Sequence, residues 1–188
     1  MQTMRTFIAI DVSAAVRAQA VRLIEKLRGS GVKARWVEPA NLHLTLKFLG
    51  DVPNTEVAAV CQAVKVAVLE NGPFDIHCQG AGAFPETKRP RTVWLGLAEG
   101  NEEMRRLQEK IDIALAELGF PREPRRFHPH LTLGRLKRTG PELADLARLL
   151  EEHEAFDAGK FTAEEVQVVA SFLEKSGPTH DVMGRACL

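Results

Sequence analysis

No apolar run in this sequence approaches the roughly 20 residues that a helix needs to cross a bilayer. The short stretch Phe7 to Ile10 ends at Asp11 and lacks a cleavage-site pattern, so neither a secretory leader nor a membrane partner is expected. Cysteine is scarce as well. Cys61, Cys78 and Cys187 are odd in number and too far apart for a zinc knuckle, which excludes a disulfide framework and points to a reducing, cytoplasmic setting. Excess charge is also lacking: 25 Lys and Arg balance 25 Asp and Glu, so no global field draws the chain to nucleic acid. The balance is local rather than uniform. Arg122, Arg125, Arg126, Arg135, Lys137 and Arg138 form a basic collar against the single acid Glu123, which suggests a phosphate site more than duplex binding. With 188 residues, the chain suits one domain or two small lobes sharing a core.

What the chain does contain is one tetrapeptide twice, His43-Leu44-Thr45-Leu46 and His130-Leu131-Thr132-Leu133, 87 residues apart. In an extended strand, side chains two apart share a face, so each copy predicts His and Thr on one side and two leucines on the other. Brought side by side, the strands would line a groove with two imidazoles and two hydroxyls. Histidine gives or takes a proton near neutrality, so two facing one scissile bond can divide acid and base work. The threonine hydroxyls can donate to non-bridging phosphate oxygens where charge develops. One such motif alone would read as a structural histidine on a solvated face; the pair favours catalysis.

The surrounding pattern is duplicated too. A strand at Phe7–Val12 leads through an N-cap at Ser13 to a helix with Val16, Ala20, Leu23, Ile24 and Leu27 inward. A short extended piece with Trp36 precedes the first motif strand, Leu42 to Leu49; Gly50 to Asn54 is predicted as a turn into a helix carrying Val57, Val60, Val64 and Val68. Phe74 to Phe84 reads as a glycine-rich strand, and the polar loop Pro85 to Arg91 as a lobe junction. The order then repeats: strand Thr92–Leu97, a helix capped by Asn101, the second motif, a helix from Pro141 to Glu152, and strands Val166–Leu173 and Asp181–Leu188. The first strands are offset by 86 residues, and this near-equal spacing marks an internal duplication over about 4–84 and 91–188. A pseudo-two-fold axis would set the motif strands together at the centre of a single bilobal unit covering 1–188.

Other residues read less directly. His128-Pro129-His130 spells half of a metal site, but His77, His153 and His180 are scattered along the chain and no third ligand is near in sequence, so no metal is expected. His128 reads as a loop residue or a supporting partner of His130. Phe48 and Arg135 each lie five residues past a motif histidine, an odd offset that strand parity turns away from the groove. Gly134 could bend the chain to return Arg135, which would then clamp phosphate; Phe48 reads first as core, Trp36 as wall or core, and Lys47 and Lys137 as solvated strand ends.

These residues carry a resemblance. Arg35-Trp36-Val37, Asn41 to Gly50, Gly82-Ala83-Phe84-Pro85 and Phe127 to Leu133, together with the doubled motif, resemble the two-histidine (2H) phosphoesterase superfamily, in particular its RNA 2′,3′-cyclic phosphodiesterase branch, also called 2′-5′ RNA ligase. The resemblance spans nearly the whole chain. It implies an α+β, bilobal, duplicated fold in which two mainly antiparallel sheets line a central cleft with helices outside. It implies hydrolysis of RNA 2′,3′-cyclic phosphate ends to 2′-phosphates with no metal or other cofactor, and reversible 2′-5′ ligation beside it. On this resemblance His43 is the proton donor to the leaving 3′ oxygen, His130 the proton acceptor that activates water, Thr45 and Thr132 hold the phosphate, and Arg135 and Phe48 seat the nucleotide. The partners would be RNA ends or nucleotides bearing the cyclic phosphate, met by a monomer. The segment from Thr139 to Thr162 carries no string diagnostic of the family. The competing readings are a sister activity on another small cyclic phosphate or oligoadenylate, a metal-dependent hydrolase built on His128 and His130, and a non-catalytic RNA-end binder using the basic collar.

Overall fold

A computed structural model of the chain describes residues 2–136, 140–174 and 177–188. Along these residues run β1 (Thr3–Asp11), α1 (Ala14–Arg28), β2 (Ala34–Trp36), β3 (His43–Pro53), α2 (Val57–Val68), β4 (Phe74–Phe84), β5 (Thr92–Glu99), α3 (Asn101–Ala116), β6 (Leu131–Leu136), α4 (Leu143–Glu152), β7 (Asp157–Ala163), β8 (Glu165–Glu174) and β9 (Gly177–Cys187). A single 3-10 turn, Pro39–Asn41, leads into β3. Ser13 caps α1 as its type predicts, its hydroxyl accepting from the Val16 amide. The inward residues of α1 are the five that the helical spacing selects, all buried.

The strands form one curled antiparallel sheet in the order β7-β4-β5-β6-β3-β1-β8-β9, with β2 pairing on β6. Two sheets were expected, and they exist as halves of this one. They are joined where β3 and β6 pair at Leu44 and Leu131, so the two motif strands are central neighbours. The halves of the sheet do not follow the halves of the chain. β4, from the first copy of the repeat, pairs with β5 of the second, while β8, from the second, pairs with β1 of the first. The segment 85–91 is accordingly a hairpin connection between paired strands.

Leu44, Leu46, Leu131 and Leu133 all point into the core, where α3 packs on β3 and α1 on β6. Burying a leucine contributes about 1.5–3 kcal/mol, so the leucine face holds both motif strands down while the His and Thr face stays open. β1, between β3 and β8, is buried on both faces from Thr6 to Ile10. On its groove side Phe7 and Ala9 meet Val169 in a small apolar cluster of their own.

Several local expectations change. β3 does not turn at Gly50: it runs on to Pro53, because β1 begins at Thr3 and supplies partners for Gly50, Asp51, Val52 and Pro53. Gly50, at φ +76°, takes up the irregularity that a turn would otherwise resolve. At α3 the cap position belongs to Gly100, in the left-handed region, and Asn101 begins the helix with its side-chain amide donating to Leu97 O at 2.8 Å. The strand β7 falls in a stretch where no strand was predicted. Among the described residues it pairs only with β4, and its alternation is diluted by Gly159 and Lys160. Lys137 and Arg138 of the basic collar lie outside the described residues.

Candidate active site

Pairing about Leu44 and Leu131 in antiparallel strands brings His43 toward Thr132 and Thr45 toward His130, so the four motif side chains form a square on the open face. Each imidazole is held in the same way. His43 Nδ1 lies 2.8 Å from Asn41 O and His130 Nδ1 lies 2.7 Å from His128 O, two residues upstream in both cases. A carbonyl only accepts, so in each ring Nδ1 carries the proton and donates, and Nε2 is left with the lone pair. The role of His128 is thus carried by its backbone carbonyl. The segment that carries the Asn41 carbonyl is itself fixed: Arg17 donates to Pro39 O (2.5 Å) and Leu42 O (3.2 Å), and Asn41 Nδ2 donates to Pro178 O (2.7 Å) at the start of β9.

The two rings have different walls. Phe7 stacks on His43 with centroids 4.6 Å apart, and His180 meets the same ring edge-on at 5.5 Å. Phe84 stands edge-on to His130 at 5.1 Å, with Trp94 at 6.5 Å. Burial lowers the pKa of His43 to about 4; the Asn41 carbonyl and Asp11 oppose that fall, and His180 and Arg17 add to it. Burial also lowers His130, opposed by the His128 carbonyl and reinforced by the neighbouring Arg135 guanidinium and His128 ring. At neutral pH both rings are therefore neutral in the free protein, each with a lone pair on Nε2. A phosphate bound between them would supply negative charge that favours a second proton on one of them.

The problem of odd offsets is resolved by two matching β-bulges. In β3 the pairing slips at Leu46, which has no partner between Lys47 and Thr45 on the β1 side; in β6 it slips at Leu133, between Gly134 and Thr132 on the β5 side. Each bulge adds one residue and flips the parity of everything after it. Phe48 and Arg135 consequently return to the groove face. Phe48 is 59% exposed, which overturns its reading as core, and its ring lies 6.0 Å from Phe7. Arg135 is exposed and sits directly across from Arg35 of β2. Like charges opposite one another in a sheet are unfavourable, and an anion between them reverses the sign.

The same flip sends Lys47 inward. It is 7% exposed, and its ammonium donates to Asp112 Oδ1 of α3 and to Pro121 O at 2.8 Å, so it is not the solvated strand end expected. Burial alone would raise the Asp112 carboxyl, but hydrogen bonds from Lys47, Arg122 and the Glu123 amide hold it below the usual carboxylate range. Arg122 thereby leaves the basic collar for a structural pairing at 3.1 Å. Trp36 is wall, packed on the core with its ring over Gly134.

His77 pairs with Asp157 at 2.9 Å and His153 with Leu149 O at 2.8 Å, both away from the motifs. Among the described residues no three His, Cys, Asp or Glu side chains gather as a ligand set. The site residues that sequence reasoning missed are Phe7, which reads as core in a strand of apolar residues, and His180, which is 137 positions from His43 and carries no motif.

Comparison with known proteins matches residues 12–171 to the model of the 2′-5′ RNA ligase superfamily. The chain is 38% identical over 178 residues to an RNA 2′,3′-cyclic phosphodiesterase of Archaeoglobus fulgidus, covering 94% of this chain and 96% of that one. It is 36% identical to the enzyme of the same name from Methanothermobacter thermautotrophicus, covering 95% and 96% of the two chains. Among solved structures, a Thermus thermophilus protein superposes with a TM-score of 0.81 at 29% identity over 98% of both chains. Escherichia coli LigT in complex with 3′-AMP superposes with a TM-score of 0.79 at 26% identity, over 100% of this chain and 99% of that one.

Proposed function

Since the chain belongs to the 2′-5′ RNA ligase superfamily, we propose that it is an RNA 2′,3′-cyclic phosphodiesterase that opens the cyclic phosphate with its two motif histidines and no metal. The observation that carries this reading is the matched presentation of His43 and His130: adjacent strands, the same Nδ1-to-carbonyl anchor, and two Nε2 atoms turned to one groove. In the reaction His130 Nε2 accepts a proton from water as the water oxygen attacks phosphorus. The P–O3′ bond breaks, and O3′ takes a proton from His43 Nε2. The product keeps its phosphate on O2′. Thr45 and Thr132 donate hydroxyl hydrogen bonds to the non-bridging oxygens, where negative charge grows in the transition state. The phosphate also raises the proton affinity of His43 from its low value in the free protein, because an anion within a few ångströms favours the charged imidazole.

Arg135, with Arg35 beside it, draws the anionic end into the groove, and the exposed ring of Phe48 offers the base a face on which to stack. One copy of the chain carries every group named, so a monomer is sufficient. The three free cysteines suit a cytoplasmic enzyme; no helix among the described residues is long and apolar enough to cross a membrane. The test is incubation of an oligonucleotide ending in a 2′,3′-cyclic phosphate with the protein in EDTA. Quantitative conversion to the 2′-phosphate is expected. A 3′-phosphate product, or activity that EDTA abolishes and a divalent metal restores, would refute the mechanism.

A further inference from the structure

Beyond His130, on the side away from His43 and Phe48, the groove opens into a cavity of about 350 Å³ that none of the roles above uses. It lies over β4 and β5, at the low end of the ~300–1,000 Å³ range of small-ligand sites, and has room for one nucleoside rather than a strand. Its floor is unusual. Trp94 is paired with Gly82 across the β4–β5 ladder, and a Cβ at Gly82 would come within 2.8 Å of Trp94 Cζ3; one at Gly96, two residues further along β5, would come within 3.1 Å of the same atom. Two missing side chains thus let the indole lie flat along the sheet. Held this way, its Nε1 is shielded and has no hydrogen-bond partner among the described residues, whereas a buried tryptophan in a core normally finds one. Phe84 walls the cavity 5.1 Å from Trp94, and the polar residues Gln79, Asn101 and Glu154 line it. A flat aromatic floor with a polar rim is what a nucleobase requires: a stacking face and partners for its edge.

The resemblance already implies 2′-5′ ligation, in which O5′ of a second RNA replaces water as the nucleophile; we propose that this cavity is the seat of the nucleoside that carries that 5′-hydroxyl. The assignment rests on the cyclic-phosphodiesterase reading of the two histidines. In-line displacement puts the attacking and leaving oxygens on opposite sides of phosphorus. The nucleoside bearing the cyclic phosphate is tied to the leaving oxygen and belongs with His43, Phe7 and Phe48. The nucleophile belongs with His130, and Trp94 lies beyond His130. O5′ attacks phosphorus and its proton passes to His130 Nε2; the P–O3′ bond breaks and O3′ takes the proton of His43 Nε2. One P–O bond replaces another, nothing is oxidised or reduced, and the product is a 2′-5′ phosphodiester. Run backwards, the same seat holds the departing 5′ nucleoside.

The experiment supplies a cyclic-phosphate-ended oligonucleotide together with a 5′-hydroxyl oligonucleotide and measures the ratio of 2′-5′-joined to hydrolysed product. Trp94→Ala should lower that ratio about ten- to a hundredfold, the loss expected for one stacked base, and Trp94→Phe should keep most of it. An acceptor whose first residue is abasic should show the same fall with the unaltered protein and no further fall with Trp94→Ala. A ratio unchanged by Trp94→Ala would overturn the proposal, as would an equal loss of both products in the alanine and phenylalanine variants. Failure of the unaltered protein to join ends while it hydrolyses them would overturn the acceptor seat alone, and failure to hydrolyse would sink the phosphodiesterase reading with it.

Discussion

The buried pair between Lys47 and Asp112 offers a sharp test of how the bulged motif strand is held, because its two halves are unequally supported. Asp112 receives three donors: Lys47, Arg122 Nε at 3.1 Å on its other oxygen, and the Glu123 amide at 3.3 Å. Among the described residues, Lys47 has only Asp112 and the carbonyl of Pro121. Asp112→Ala therefore strands an ammonium in the core with a single carbonyl for company, the situation that typically costs about 3–5 kcal/mol. Lys47→Met leaves a carboxylate that still has a guanidinium and an amide, and replaces the lysine stem with an apolar chain of similar length. Its cost is nearer the ~1.5–3 kcal/mol of one charge-assisted hydrogen bond. Urea unfolding at pH 7 should rank Asp112→Ala as the more damaging by at least about 1 kcal/mol, and the double variant Lys47→Met with Asp112→Leu should recover part of the loss. Since Lys47 separates the Leu46 bulge from Phe48, Asp112→Ala should also raise KM for nucleotide substrates. Equal costs, or a larger cost for Lys47→Met, would show that Lys47 is not dependent on Asp112 and that the argument from unequal support is wrong.

Four further predictions concern the site. His43→Ala and His130→Ala should each lower turnover at least about a hundredfold with an unchanged circular dichroism spectrum; near-normal turnover in either would remove that histidine from the mechanism. In the free protein, His43 should titrate near pH 4 by NMR. Its folded pKa lies below the unfolded value of about 6.5, so its stabilising contribution is complete above pH 6.5 and is lost as pH falls toward 4, by about 3 kcal/mol at most; constant stability across that window, with folding intact, would contradict the burial of a neutral ring. Arg135→Ala should weaken both binding and turnover of cyclic-phosphate substrate, with Arg135→Lys rescuing only part because a point charge cannot reproduce the planar fork. Phe48→Ala should raise KM with a smaller effect on kcat, and kinetics of Arg135→Ala indistinguishable from the unaltered protein below saturation would remove the guanidinium from the phosphate site.

The sequence alone determined the faces of the two motif strands. A period-two pattern written twice is sufficient to place His43, Thr45, His130 and Thr132 on open faces and four leucines on buried ones, because strand geometry makes alternation a direct readout of side. It also determined α1 with its Ser13 cap and the strand Phe74–Phe84, which depend on neighbours close in the chain. Tertiary structure decided everything that turns on which strand lies beside which. Parity counted from His43 sends Phe48 inward and Lys47 outward; pairing with β1 inserts a bulge at Leu46 and reverses both. A bulge is a property of two strands, and no periodicity within one strand can report it. His180 reaches His43 only because β8 and β9 cross to the half of the sheet built by β1 and β3, and the Trp94 floor exists only because Gly82 lies across the ladder. Local chemistry wrote the histidine pair, and the pairing of distant strands decided what surrounds it.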